Sequence, residues 1–188
     1  MDHAAQLAQF SQILEQKGYF TALEGNASIL DRASGRMYIT PSGRMKQLLK
    51  PEDICVLDPD GQQIAGNGKR SSEYLLHEAA YLARPDACAV IHSHCPYLTA
   101  YAMRGEDFYA PEHTSLQEIF PHIVCLPYGK RGTHEIHRGI EDALKECRLC
   151  LLGGHGVVCV ADTMEACVGY LMAAEGFAKT LFLAKHMD

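Results

Sequence analysis

Apolar positions at Ala5, Leu7, Ala8, Phe10, Ile13 and Leu14 recur with the spacing of one helical face, so residues 2–17 are predicted to open the chain as an amphipathic helix. Asp2 stands where an N-cap belongs and Gly18 where the helix stops. The period then changes. ASIL and MYIT are short β-patterned runs on either side of the turn-rich DRASGR, which predicts a hairpin, and KPEDICVLDPDGQQIAG adds a strand, a DPDG turn and a second strand. SSEYLLHEAAYLA returns to helical spacing and is ended by Arg84-Pro85. AVIHSH follows with the continuous apolar character of a buried strand. PYLTAYAMRG reads as a helix, EDFYAPEHTSLQEIFPH as irregular, HIVCLPYG as a strand and THEIHRGIEDALKEC as a helix. RLCLLGGHGVVCVAD reads as two strands around a glycine-rich turn, and Asp162 with Glu165 resembles a capping box for a final helix of about 23 residues.

Strands and helices interleave, yet several strands are joined by turns too short for a crossover. The expected fold is therefore α/β, a three-layer αβα sandwich around a central mixed, largely antiparallel sheet, with residues 1–188 forming a single domain. A hydrophobic fraction of 47% with 21% charged residues fits a globular protein, and no stretch approaches a membrane span of uninterrupted apolar residues. The opening MDHAAQLAQF has neither a positive n-region nor an apolar h-region, so a cytoplasmic protein without leader or anchor, and without membrane contact, is expected. A net charge of −6 argues against nucleic acid as a partner while leaving room for a local pocket that takes a phosphorylated small molecule. The eight cysteines are expected to stay reduced, and Cys55, Cys88, Cys125 and Cys159 sit in apolar runs as small core residues. Cys147 and Cys150 form one CxxC without a second pair, and Cys95, beside HSH, is the thiol expected to be most open to oxidation.

Two residues along a strand span roughly 6 to 7 Å and share a face, so His92 and His94 point towards one place. Side chains at that spacing can converge on a metal held about 2.0 to 2.1 Å from each nitrogen. His155 is the best third ligand, because Gly153, Gly154 and Gly156 permit close backbone approach. Three histidines with an open fourth position suit a catalytic zinc; taken singly, His-x-His on an apolar strand is more often a pair of satisfied or half-exposed histidines, and His155 alone is a weaker signal still. Ser71, Ser72 and Glu73 fall at a helix N-terminus, where free N–H groups favour an anion. His77, four residues after Glu73, shares its helical face and serves either behind the site or as a satisfied core histidine. HEAAY is not the HExxH of a zinc protease, since Tyr81 stands where the second ligand would be.

GNAS, ITPSG, SSE, HSH and GGHG occur in the order and spacing of the class II aldolase/adducin family, which the chain resembles over nearly its whole length. The resemblance implies one Zn²⁺ per subunit held by His92, His94 and His155, with Glu73 as a fourth ligand that becomes the catalytic base. It implies a phosphate cradle from Gly25 and Asn26, Ser42 and Gly43, Ser71 and Ser72, and a homotetramer with sites between subunits. The expected reaction is reversible cleavage of a phosphorylated ketose, fuculose-1-phosphate-like, to dihydroxyacetone phosphate and an aldehyde. Alternatives are a 4-epimerase, dehydratase or decarboxylase on a related sugar phosphate, a non-catalytic adducin-like module, and, last, a zinc hydrolase. Where fuculose-phosphate aldolases use a tyrosine from a neighbouring subunit, this chain has His113 with Tyr109 nearby, so His113 is the expected proton donor. A C-terminal tail with a further tyrosine is expected to be missing, and Lys69 and Arg70 replace a frequent proline.

Overall fold

The computed structural model describes residues 2–21, 23–111, 113–130 and 132–187. One eight-stranded sheet carries β1 (Asn26–Asp31), β2 (Arg36–Ile39), β3 (Cys55–Leu57), β4 (Gln63–Ala65), β5 (Ala89–Ser93), β6 (Cys125–Leu126), β7 (Leu149–Leu152) and β8 (Gly156–Ala161). The order is β4-β3-β2-β1-β5-β8-β7-β6, and only the β6–β7 pair is parallel. The hairpin and the two-strand segments predicted from turn chemistry are all present. The mixed, mostly antiparallel sheet is as expected.

Helices α1 (His3–Gln16), α2 (Tyr74–Ala83), α3 (Pro96–Arg104), α4 (Thr114–Ile119), α5 (Ile140–Glu146) and α6 (Met164–Lys185) cover both faces of the sheet. Strand alternation decides which face each side chain serves. Ala89, Ile91, Val157 and Cys159 join Leu7, Leu98 and Leu171 in a core under α1, α3, α4 and α6. Val90, Val158 and Val160 join Leu76, Ala80 and Leu144 in a second core under α2 and α5. α6 is long and apolar enough by length and composition to cross a membrane, yet here Cys167, Leu171, Ala174 and Ala178 bury it in the first core.

Three local expectations change. The segment read as irregular contains α4, capped by His113. The single helix expected over THEIHRGIEDALKEC breaks into a 3-10 turn (His134–His137) and α5, because Gly139 takes φ +86°. Thr163 rather than Asp162 caps α6, its hydroxyl accepting from the Ala166 N–H at 3.1 Å.

Two buried polar arrangements position the loop after β5 and the helix before it. Glu175 of α6, 4% exposed, accepts from the Tyr97 and Leu98 N–H groups at 2.9 Å each, placing a carboxylate on the positive end of α3. From the other side, Ser93 Oγ (2.7 Å) and the His94 N–H (3.2 Å) donate to the Tyr19 carbonyl. On the opposite face α2 meets β1 through polar atoms: Ser28 Oγ lies 2.7 Å from His77 Nδ1 and 2.8 Å from the Tyr81 hydroxyl, all three residues being buried.

Glu175→Leu should leave two buried N–H groups unpaired and lower stability by roughly 2 kcal/mol; an unchanged denaturation midpoint would remove the clamp from this account. Burial pushes the pKa of His77 down to about 4, with Glu73 pulling the other way, against 6.5 for a free histidine. A lowered folded pKa contributes stability that is complete above about pH 6.5 and is lost as pH falls towards 4. In metal-free protein, the parent should therefore lose roughly 2 kcal/mol more than His77→Gln between about pH 7 and pH 5. Parallel stability curves would contradict this.

Candidate metal centre and active site

β5 lies between β1 and β8, with His92 opposite Asn26 on one side and Val158 on the other. Its side chain is fully buried. His92 Nδ1 lies 3.1 Å from the Val157 carbonyl, which can only accept, so Nδ1 carries the proton and Nε2 presents a lone pair. The strand ends at Ser93, and His94 sits just beyond it on the loop pinned to Tyr19. His155 occupies the β7–β8 turn, where Gly154 takes φ +67°. Gly156 is required for a different reason: a Cβ there would overlap the Ser93 carbonyl and press on the rings of His92 (3.3 Å) and His94 (3.4 Å).

The three Nε2 atoms converge, His92 to His94 at 3.0 Å and His92 to His155 at 2.9 Å, with all three ligand atoms within 4.8 Å of one another. Tetrahedral bonds of about 2.0 to 2.1 Å would set nitrogens roughly 3.3 Å apart. A hydrogen-bonded reading is poorer, because the single lone pair on His92 Nε2 cannot accept from both partners. The donor set therefore fits a divalent ion, and the Val157 carbonyl behind His92 is the outer partner that a metal-binding histidine ordinarily has. Glu24, half-exposed, lies 3.8 Å from His94 Nδ1 in a similar outward position.

Glu73 caps α2 and is 2% exposed. Its Oε1 lies 3.1 Å from His155 Nε2, and its Oε2 accepts from Asn26 Nδ2 at 2.8 Å and lies 3.7 Å from His92 Nε2. Burial raises the pKa of Glu73, while the charge His92 carries when protonated and the bonds from His155 and Asn26 lower it, and the net direction is down. Burial pushes the pKa of His92 down to about 3, opposed by Glu73, which keeps the imidazole neutral as a ligand must be.

The segments expected to form a phosphate cradle meet beside Glu73. A bridge between Pro41 and Arg70, and the bond from the Ser42 N–H to the Lys69 carbonyl (2.8 Å), set residues 41–43 against residues 69–71. The Thr40 N–H donates to the Ala27 carbonyl at 3.0 Å, bringing the start of β1 to the same edge. Ser42, Gly43 and Ser72 are exposed there, whereas Ser71 is buried and its hydroxyl accepts from the Glu73 N–H. Gly25, at φ +81°, has no room for a side chain because Phe20 fills that space. Asn26 is 4% exposed, and both ends of its amide are engaged inside the protein. Arg70 stacks on Tyr74, its guanidinium 3.8 Å from the ring centre.

His113 is placed elsewhere. Its Nδ1 accepts from the Leu116 N–H at 3.3 Å and its ring packs on Phe177 of α6, in the helical layer opposite α2. Tyr109 is exposed and packs edge-on against His122. None of these contacts reaches the histidine cluster. Cys95 departs from expectation: it is fully buried, and burial pushes its thiol well above the usual range, away from reactivity. Sequence reasoning passed over Ser28 and Tyr81, although N-x-S on a strand facing E-x₃-H-x₃-Y on a helix offered a period-two row against a period-four row.

The family described as "Class II Aldolase and Adducin N-terminal domain" matches residues 5–182. The 5-deoxy-D-ribulose 1-phosphate aldolase of Bacillus thuringiensis serovar kurstaki is 30% identical over 160 residues, spanning 85% of this chain and 75% of that protein. The 5-methylthioribulose-1-phosphate/5-deoxyribulose-1-phosphate aldolase of Escherichia coli O45:K1 is 34% identical over 152 residues, 81% and 70% of the two chains. A solved L-fuculose 1-phosphate aldolase superposes with a TM-score of 0.90 at 30% identity, covering 98% of this chain and 86% of its own. With the His92–His94–His155 cluster and this match along nearly the full sequence, the chain belongs to the class II aldolase/adducin family and is an aldolase.

Proposed function

We propose that this protein is a zinc-dependent aldehyde-lyase that reversibly cleaves a ketose 1-phosphate to dihydroxyacetone phosphate and an aldehyde. The observation that carries the reading is Glu73: a buried carboxyl group with one oxygen held by Asn26 and the other 3.1 Å from a ring of the histidine cluster. Relatives named for 5-deoxyribulose 1-phosphate, 5-methylthioribulose 1-phosphate and fuculose phosphate differ in the sugar tail but have a phosphorylated ketose in common. That common part is what the site has to recognise.

His92, His94 and His155 would hold the ion, and a divalent cation there supplies a Lewis acid that draws charge from the substrate carbonyl. Backbone N–H groups and hydroxyls at Gly25, Ser42, Gly43, Ser71 and Ser72 bind the phosphate at the N-terminal end of α2, where the helix dipole favours a dianion. Asn26 borders that cradle through its backbone, while its amide serves Glu73. In the cleavage direction Glu73 returns a proton to the carbon left behind when the C–C bond breaks; in synthesis it removes the same proton. His113, and Tyr109 beside it, would reach a substrate oxygen only from a neighbouring subunit. We assign the protein accordingly to a cytoplasmic homotetramer of single-domain subunits, with exposed Phe182, Leu183 and Met187 near the end of α6 covered by a second copy.

Glu73→Gln should retain its metal yet lose exchange of the carbon-bound proton of dihydroxyacetone phosphate with deuterated water by roughly 10²- to 10⁴-fold. Exchange at the parental rate in a fully metal-loaded variant would take Glu73 out of the base role.

A further inference from the structure

The row of polar side chains behind Glu73 is continuous and closed to solvent. Asn26 Nδ2 is 2.8 Å from Glu73 Oε2, Asn26 Oδ1 is 2.5 Å from His77 Nε2, His77 Nδ1 is 2.7 Å from Ser28 Oγ, and Ser28 Oγ is 2.8 Å from the Tyr81 hydroxyl. Tyr81, 4% exposed, stands at the far end, 3.4 Å from the Cys88 carbonyl. The fold makes the row possible. Four residues of helix rise about 6 Å and two residues of strand roughly 6.7 Å, so Glu73, His77 and Tyr81 on α2 keep step with Asn26 and Ser28 on β1.

Donor and acceptor capacity then allows one ordering of protons. Asn26 turns its NH₂ to Glu73 Oε2, which accepts, and its oxygen to His77. The facing His77 Nε2 must therefore carry the proton, which leaves Nδ1 to accept from the Ser28 hydroxyl. Ser28 Oγ in turn accepts from Tyr81. Among the described residues the side-chain bonds of this row lead to Glu73 Oε2 at one end and to the Cys88 carbonyl at the other, and Asn26 alone borders the phosphate segments, through its backbone.

We infer that His77, backed by Ser28 and Tyr81, is a positioning residue for catalysis: its Nε2–H locks the Asn26 amide in the one orientation that holds Glu73 aimed at the reacting carbon. This rests on Glu73 being the base. Without the lock the amide rotates, its oxygen meets the carboxylate, and Glu73 is displaced although the metal and phosphate contacts remain intact.

The test is a set of metal-loaded variants assayed by proton exchange on dihydroxyacetone phosphate, with bound metal measured in each. His77→Leu should lower kcat about 10- to 100-fold, the penalty of a misplaced catalytic group, with KM changed by no more than about twofold and metal retained. His77→Gln, which places an N–H donor near the former Nε2, should recover most of that loss. In an Asn26→Ala background, His77→Leu should have no further effect, because both residues act through one contact. In the unsubstituted protein, nitrogen NMR of the His77 ring should report Nε2–H with a bare Nδ1. Any of three results overturns the inference: equal impairment in His77→Gln and His77→Leu with full metal, additive losses in the Asn26→Ala background, or an Nδ1–H tautomer. Tyr81→Phe and the NMR readout decide the matter if His77→Leu does not fold. Glu73→Gln, run beside them, separates the two levels: activity there removes the base itself, whereas an inactive Glu73→Gln with an unimpaired His77→Leu removes the lock alone.

Discussion

The placement of β5 between two antiparallel neighbours is the constraint on which the site depends. Antiparallel registry on both sides fixes His92 opposite Asn26 and Val158, so the strand cannot slip without carrying the histidine out of place. The neighbours also supply chemistry. β8 gives the Val157 carbonyl that sets the His92 tautomer, and the β7–β8 turn gives His155. β1 gives the amide that grips Glu73. One strand pairing thus decides where the rings point, which nitrogen of His92 is bare, and where the carboxylate sits.

Around that constraint the protein spends buried polarity in two different ways. Glu175 satisfies the first N–H groups of α3 and is a structural anion. Glu73 is equally buried, but lies against the Nε2 atoms of His155 and His92, which converge with His94 on one point. The difference lies in what surrounds each carboxylate. A backbone donor holds each oxygen of the first, whereas the second keeps an oxygen directed into the histidine cluster.

Much of this was legible in the residues. The alternating and helical periods located every strand of the sheet and nearly every helix, and HSH with GGHG singled out the three histidines that converge. The break at Gly139 escaped because a glycine inside a helical pattern can be tolerated or can take a left-handed φ, as it does here, and the local pattern is the same in both cases. Cys95 looked reactive from its place beside the ligands, but the turn into α3 points it into the core. The direction of the Asn26 amide, towards Glu73 and His77, is not recorded in a GN dipeptide. The polar row from Tyr81 to Glu73 needed the pairing of a helix with a strand distant in sequence, which no local pattern records.

The most direct test of the central claim is X-ray absorption spectroscopy on the metal-loaded protein together with metal analysis of a variant lacking all three imidazoles. One divalent ion per chain, with three nitrogen ligands at about 2.0 to 2.1 Å and lost when His92, His94 and His155 are replaced together by Ala, is the result expected. An ion that persists in that variant, or a protein that binds none when zinc is supplied, would contradict the account.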